Sequence, residues 1–141
     1  MKNRTILFFF ILSMISIASI AQKKPNKHKI VFQFTNGADT LQQKAIINQL
    51  NNLTTHWPAA KYEVVIHSMG LPFVMSGKSK QIQAIKALRA KGVRFLVCEN
   101  TLKSQKIAKD QLILEVEYVP VGIAEIVEKQ EQGWTYIKGG F

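Results

Sequence analysis

The residues best equipped for chemistry gather around one position. In RFLVCENTLKSQ (Arg94 to Gln105), the only cysteine of the 141-residue chain, Cys98, stands where an apolar run gives way to polar residues. A thiolate is a nucleophile. At the start of a helix, amide groups and the helix dipole favour that anion over a free thiol of pKa about 8.5. Lys103 and Lys106, further along, add positive charge, whereas Glu99 next door raises the cost of a second negative one. Position alone leaves two roles open: a reactive thiol, or a small buried hydrophobe packed against the following helix. His28, His56 and His67 are dispersed and the thiol is single, so no set of metal ligands is formed by spacing. Asn36-Gly37 is one glycine after a strand, far short of a phosphate-cradling GxGxxG.

The elements that must position these residues alternate in period. IVFQFT (Ile30 to Thr35) is β-branched and aromatic and reads as a strand closed by Asn36-Gly37. Asp39 or Thr40 can cap the next helix, whose stripe Ile46, Leu50, Leu53 and Trp57 ends before Pro58. YEVVIH (Tyr62 to His67) is a second strand, LPFVMSGKS a loop with at most one helical turn, and Ile82, Ile85 and Leu88 the face of a helix stopping at Gly92. VRFLVC (Val93 to Cys98) has the nearly continuous apolar run of a strand covered on both faces. Asn100 or Thr101 then caps a helix through about Ala108. A short strand around Glu117 to Val119, a helix with the stripe Ile123, Ile126, Val127 and Gln130, and a strand WTYI (Trp134 to Ile137) complete the pattern.

Five strands alternating with four helical segments imply one α/β layer sandwich with a largely parallel sheet. Such sheets bind ligands at the carboxyl ends of their strands where the order reverses. With the order 2-1-3-4-5, that crevice is lined by Asn36, Gly37 and Asp39 on one side and Cys98, Glu99, Asn100 and Thr101 on the other. Strand one then separates His67 from Cys98 by about 10 Å, two strand spacings. A direct dyad is not expected, and His67 becomes a rim residue.

The amino terminus points to a compartment. Lys2 and Arg4 precede an apolar stretch from Ile6 to Ile20, and Ser19-Ile20-Ala21 supplies the small residues of a cleavage site. Residues 1–21 read as a signal peptide, with an uncleaved anchor as the alternative; 22–29, with Lys23, Lys24, Lys27 and Lys29, as a basic linker arm; and 30–141 as the folded domain. The full chain carries +10, and two of its 19 basic residues lie in the leader, so the exported part keeps 17 against nine acids, or +8. That surplus suits anionic surfaces or ligands. Nucleic acid is not expected, because the lysines are spread out and export removes the opportunity. Export would permit disulfides, yet one cysteine allows none within the chain, which suggests a reactive thiol or pairing with another molecule.

Two longer segments resemble a known family. VRFLVCENTLKS and YVPVGIAEIVEKQEQGWTYIK (Tyr118 to Lys138), with KIVFQFTNG and EVVIHSMG before them, are similar to the DsrE/DsrF-like proteins over nearly the whole exported part. The resemblance implies a flavodoxin-like three-layer α/β/α sandwich with a mostly parallel five-stranded sheet, assembled as a homo-oligomer, a trimer or hexamer. It also implies a sulfur-carrier or sulfurtransferase role, in which the cysteine at the position of Cys98 accepts a sulfane sulfur as a persulfide and passes it to a partner, with Asn100 and Thr101 at the helix start behind it. On this reading the protein is periplasmic or secreted, has no stable membrane insertion after cleavage, needs no metal or organic cofactor, and works with a sulfur donor or acceptor protein. The other readings are a non-enzymatic oligomeric binding module with a structural cysteine and, from topology alone, a flavin-binding electron carrier.

Overall fold

The computed structural model describes residues 28–141; the proposed leader and most of the basic arm lie outside them. Lys29, assigned to the arm, is the first residue of a strand. The strands are β1 (Lys29–Phe34), β2 (Lys61–Ile66), β3 (Val93–Cys98), β4 (Val116–Val119) and β5 (Thr135–Lys138), and the helices are α1 (Thr40–His56), α2 (Ile82–Ala90), α3 (Glu99–Gln105) and α4 (Gly122–Glu131). Each strand falls within a residue or two of its expected span. LPFVMSGKS divides: its start belongs to a 3₁₀ turn, Ser68–Phe73, and Met75 then bridges antiparallel to Leu112.

All four strand pairings are parallel, in the order β4-β3-β2-β1-β5. This replaces the expected order 2-1-3-4-5. From β1 to β4 the chain steps one strand at a time in one direction, so right-handed crossovers place α1, α2 and α3 on the same face. β5 lies beyond β1, and the reversed step carries α4 to the other face.

The two cores reflect that asymmetry. On one face Phe32, Phe34, Val64, Ile66, Phe95 and Val97 meet Ile46 and Leu50 of α1, Ile85 and Leu88 of α2 and Leu102 of α3. On the other, Val31, Val65, Leu96 and Val119 meet only Ile126 of α4 and Trp134. Of the stripe expected on α4, Ile126 is buried, whereas Ile123 and Val127 are about half exposed. One ten-residue helix cannot roof five strands, and its flanks remain in solvent.

Local capping follows side-chain chemistry in one helix and not in another. Asp39 Oδ1 accepts from the amides of Leu41 (2.8 Å) and Gln42 (3.4 Å), as a helix N-cap carboxylate should. At α3 the N-cap position belongs to Cys98, and Asn100 and Thr101 lie inside the helix, correcting their expected cap role.

Candidate functional site

Cys98 ends β3 on the thinly covered face, and the chain turns directly into α3. The Gly122 amide, at the first position of α4, donates to Cys98 Sγ at 3.2 Å. Only glycine permits that approach without displacement. A Cβ there would stand 3.1 Å from Cys98 Cβ, 3.2 Å from Val65 Cγ1 and 3.4 Å from His67 Cβ. The Thr101 hydroxyl oxygen accepts from the Ser68 amide at 3.1 Å, which leaves its proton free to turn toward the sulfur.

These donors decide the protonation of the thiol. Burial, the largest influence, opposes ionisation; the Thr101 hydroxyl and the amides of Gly122, Thr101 and Asn100 together outweigh it and hold the Cys98 pKa below its ordinary value. The Asn100 amide also donates to the Pro120 carbonyl (3.2 Å) and contributes least. Glu99 does not play the opposing part assigned to it. Its carboxylate is bonded to Lys109 Nζ at 2.6 Å, and that contact keeps it ionised and charge-balanced. The residue Cys98 is only 5% exposed, so the sulfur lies under a thin cover rather than at an open mouth.

His67 corrects the expected geometry. With β2 beside β3, the Cβ atoms of His67 and Cys98 both lie within 3.4 Å of one point, the site of a Cβ on Gly122. They are neighbours, yet both ring nitrogens of His67 are already engaged, with Gln33 Nε2 (2.9 Å) and Ser68 Oγ (2.9 Å). Since the Gln33 amide donates to Nε2, the ring proton sits on Nδ1 and points to Ser68. Burial lowers the His67 pKa and favours this neutral ring. Tyr136 donates its hydroxyl to Gln33 Oε1. A line of hydrogen bonds, Tyr136 to Gln33 to His67 to Ser68, therefore crosses β5, β1 and the end of β2 and finishes beside Cys98.

The remaining predicted residues stand apart. Gly37 packs against the 3₁₀ turn after β2, where its amide donates to the Met69 carbonyl at 2.9 Å and its carbonyl accepts from Gln43. Asp39 is occupied in capping α1, and Asn36 is exposed. This group and Cys98 stand at the ends of strands that are not neighbours, because β2 lies between β1 and β3. Gln33, Ser68, Gly122 and Tyr136 were missed; the one signal for Gln33 was a lone polar residue inside an apolar strand. Among the described residues no group of three His, Cys, Asp or Glu side chains is placed to hold a metal ion.

The fold and site define a parallel α/β sandwich with one strand-end thiol cradled by amides. The chain belongs to the DsrE/DsrF-like family, whose model matches residues 28–138. Its fold is similar to that of MTH1491, a protein of unknown function from Methanobacterium thermoautotrophicum. The two are 31% identical, with 79% of this chain and 98% of that one covered and a TM-score of 0.74. No curated protein matches the chain.

Proposed function

We propose that the protein is an exported sulfur carrier working through Cys98. The thiolate attacks the outer sulfur of a persulfide donor, R–S–SH; the new S–S bond gives Cys98–S–SH, and the donor leaves as a thiol or thiolate. An acceptor thiolate then attacks the outer sulfur of Cys98–S–SH and regenerates the Cys98 thiolate, with no net oxidant or reductant. The observation that carries this reading is the hydroxyl and amides gathered on one sulfur, which a cysteine that merely filled space would not need. Family membership supports sulfur relay as the role, and the Lys2, Arg4 and Ser19-Ile20-Ala21 pattern supports export to the periplasm or beyond. The half-exposed Val121, Ile123 and Val127 support self-association as a trimer or hexamer through the α4 face.

The test is to incubate the protein with a sulfane donor and read the intact mass. One added sulfur on the wild type and none on Cys98→Ser is expected; equal addition to both, or none to either, sinks the proposal. The 5% exposure of Cys98 favours a second reading, a binding module with a structural cysteine. It predicts that alkylation waits for denaturation, and that Cys98→Ser costs stability and nothing else.

A further inference from the structure

A cavity of about 500 Å³ opens at the amino ends of β1, β2 and β3, the opposite end of the sheet from Cys98. Five basic side chains line it, Lys29, Lys61, Lys91, Arg94 and Lys129, against one carboxylate, Glu63. Glu63 is 2% exposed and accepts from Arg94 (2.6 Å) and Lys129 (3.1 Å). Its Oε2 lies 3.1 Å from Lys129 Nζ but accepts no hydrogen bond. Arg94 also binds Glu117, which pairs with Arg89, and Lys129 lies 3.3 Å from Glu125 and over the Trp134 ring.

Arg94 and Lys129 are thus matched by Glu63, Glu117 and Glu125, and Lys29, Lys61 and Lys91 are not. Among the described residues Lys29, Lys61 and Lys91 form no ion pair. Lys29 donates to the Gln132 carbonyl (2.9 Å) and Lys91 to Asn51 Oδ1 (3.3 Å). A buried carboxylate paired with cations, as Glu63 is here, is seldom required for stability, since apolar replacements are often neutral or better. On the same sheet face Val31, paired directly with Glu63, and Val65 and Leu96, one rung further on, show that apolar packing is available here. A fixed polar floor beneath three unmatched lysines, in a concavity of small-ligand size, concentrates positive potential where an anion can enter.

We propose that this cavity binds a small, freely diffusing oxyanion of two or more charges, of the phosphate or pyrophosphate class, held by Lys29, Lys61 and Lys91. The site is independent of the chemistry at Cys98. Titration calorimetry with inorganic pyrophosphate at low ionic strength tests it, on the wild type, on Lys61→Gln/Lys91→Gln, and on Lys103→Gln/Lys106→Gln as a pair elsewhere on the surface. Saturable binding is expected, weakened about tenfold by the first pair, roughly threefold for each exposed lysine, and less than twofold by the second. Cys98→Ser should bind as the wild type does. Absence of binding, equal weakening by both lysine pairs, or loss of binding in Cys98→Ser overturns the proposal.

Discussion

Gly122→Ala tests the site at its narrowest point. The added methyl would meet Cys98 Cβ at 3.1 Å, Val65 Cγ1 at 3.2 Å and His67 Cβ at 3.4 Å, three atoms anchored on strands or at their ends. None belongs to a long side chain that can swing aside, so α4 must move instead. Overpacking of this kind costs about 1–3 kcal/mol. Alanine returns part of the ~1 kcal/mol helix preference it holds over glycine, and only part, because position 122 opens the helix. A net loss of about 1–2 kcal/mol lowers Tm by roughly 4–8 °C for a domain of this size. The same displacement lengthens the Gly122 N–H to Sγ contact, so the thiol pKa rises. Thermal unfolding and the pH dependence of iodoacetamide alkylation read the two effects, with Gly77→Ala, whose new methyl meets nothing within 4 Å, as control. Unchanged Tm together with an unchanged alkylation profile would refute the argument that Gly122 clamps the sulfur.

Three other outcomes follow from the same contacts. Thr101→Val removes the hydroxyl that serves Cys98 and the Ser68 amide; stability falls by about 1–2 kcal/mol in urea unfolding, and the alkylation profile moves to higher pH. His67 is held neutral by burial, so its contribution to stability is complete above its unfolded pKa, near 6.5, and is lost as pH falls below that value toward its lowered folded pKa. Urea midpoints between pH 7.5 and 5 should therefore fall more for the wild type than for His67→Gln. Glu63→Gln leaves Arg94 and Lys129 with only Glu117 and Glu125 as acidic partners; the loss is roughly 2 kcal/mol, below the full cost of breaking a buried pair because those second partners remain. A chemical-denaturation midpoint equal to the wild type's would contradict it.

What the sequence revealed and what it hid divide along the range of the interaction. Strand and helix spans are set by neighbours a few residues apart, and IVFQF, YEVVI and VRFLVC declare themselves through β-branched and aromatic runs. The order of strands depends on which edges meet, and no local pattern records that β5 returns to β1. The misplacement of His67 followed from this alone: with β1 inserted between β2 and β3, two neighbours appeared two strands apart. Cys98 was legible because it is a single thiol at a strand end. Its activating partners were not, since Gly122 arrives from 24 residues away and Thr101 resembled a cap. Ile123 and Val127 read as core because periodicity reports one apolar face and not how much sheet lies beneath it.

The strand order also governs when the fold can close. Adjacent steps from β1 to β4 let each strand find its partner soon after it appears, at modest loop-closure cost. β5 instead pairs Ile30 with Thr135 and Gln33 with Lys138, more than a hundred residues along the chain. The tail beyond it is fastened to α1 by side chains that copy a strand's hydrogen bonds: Gln42 exchanges bonds with Phe141 and Gln49 with Gly140. Until this last segment arrives, the free edge of β1 stands unpaired, and contacts of such long separation form slowly. The first of the described strands is therefore the latest to be completed, and one edge of the sheet stays open to wrong partners until β5 arrives.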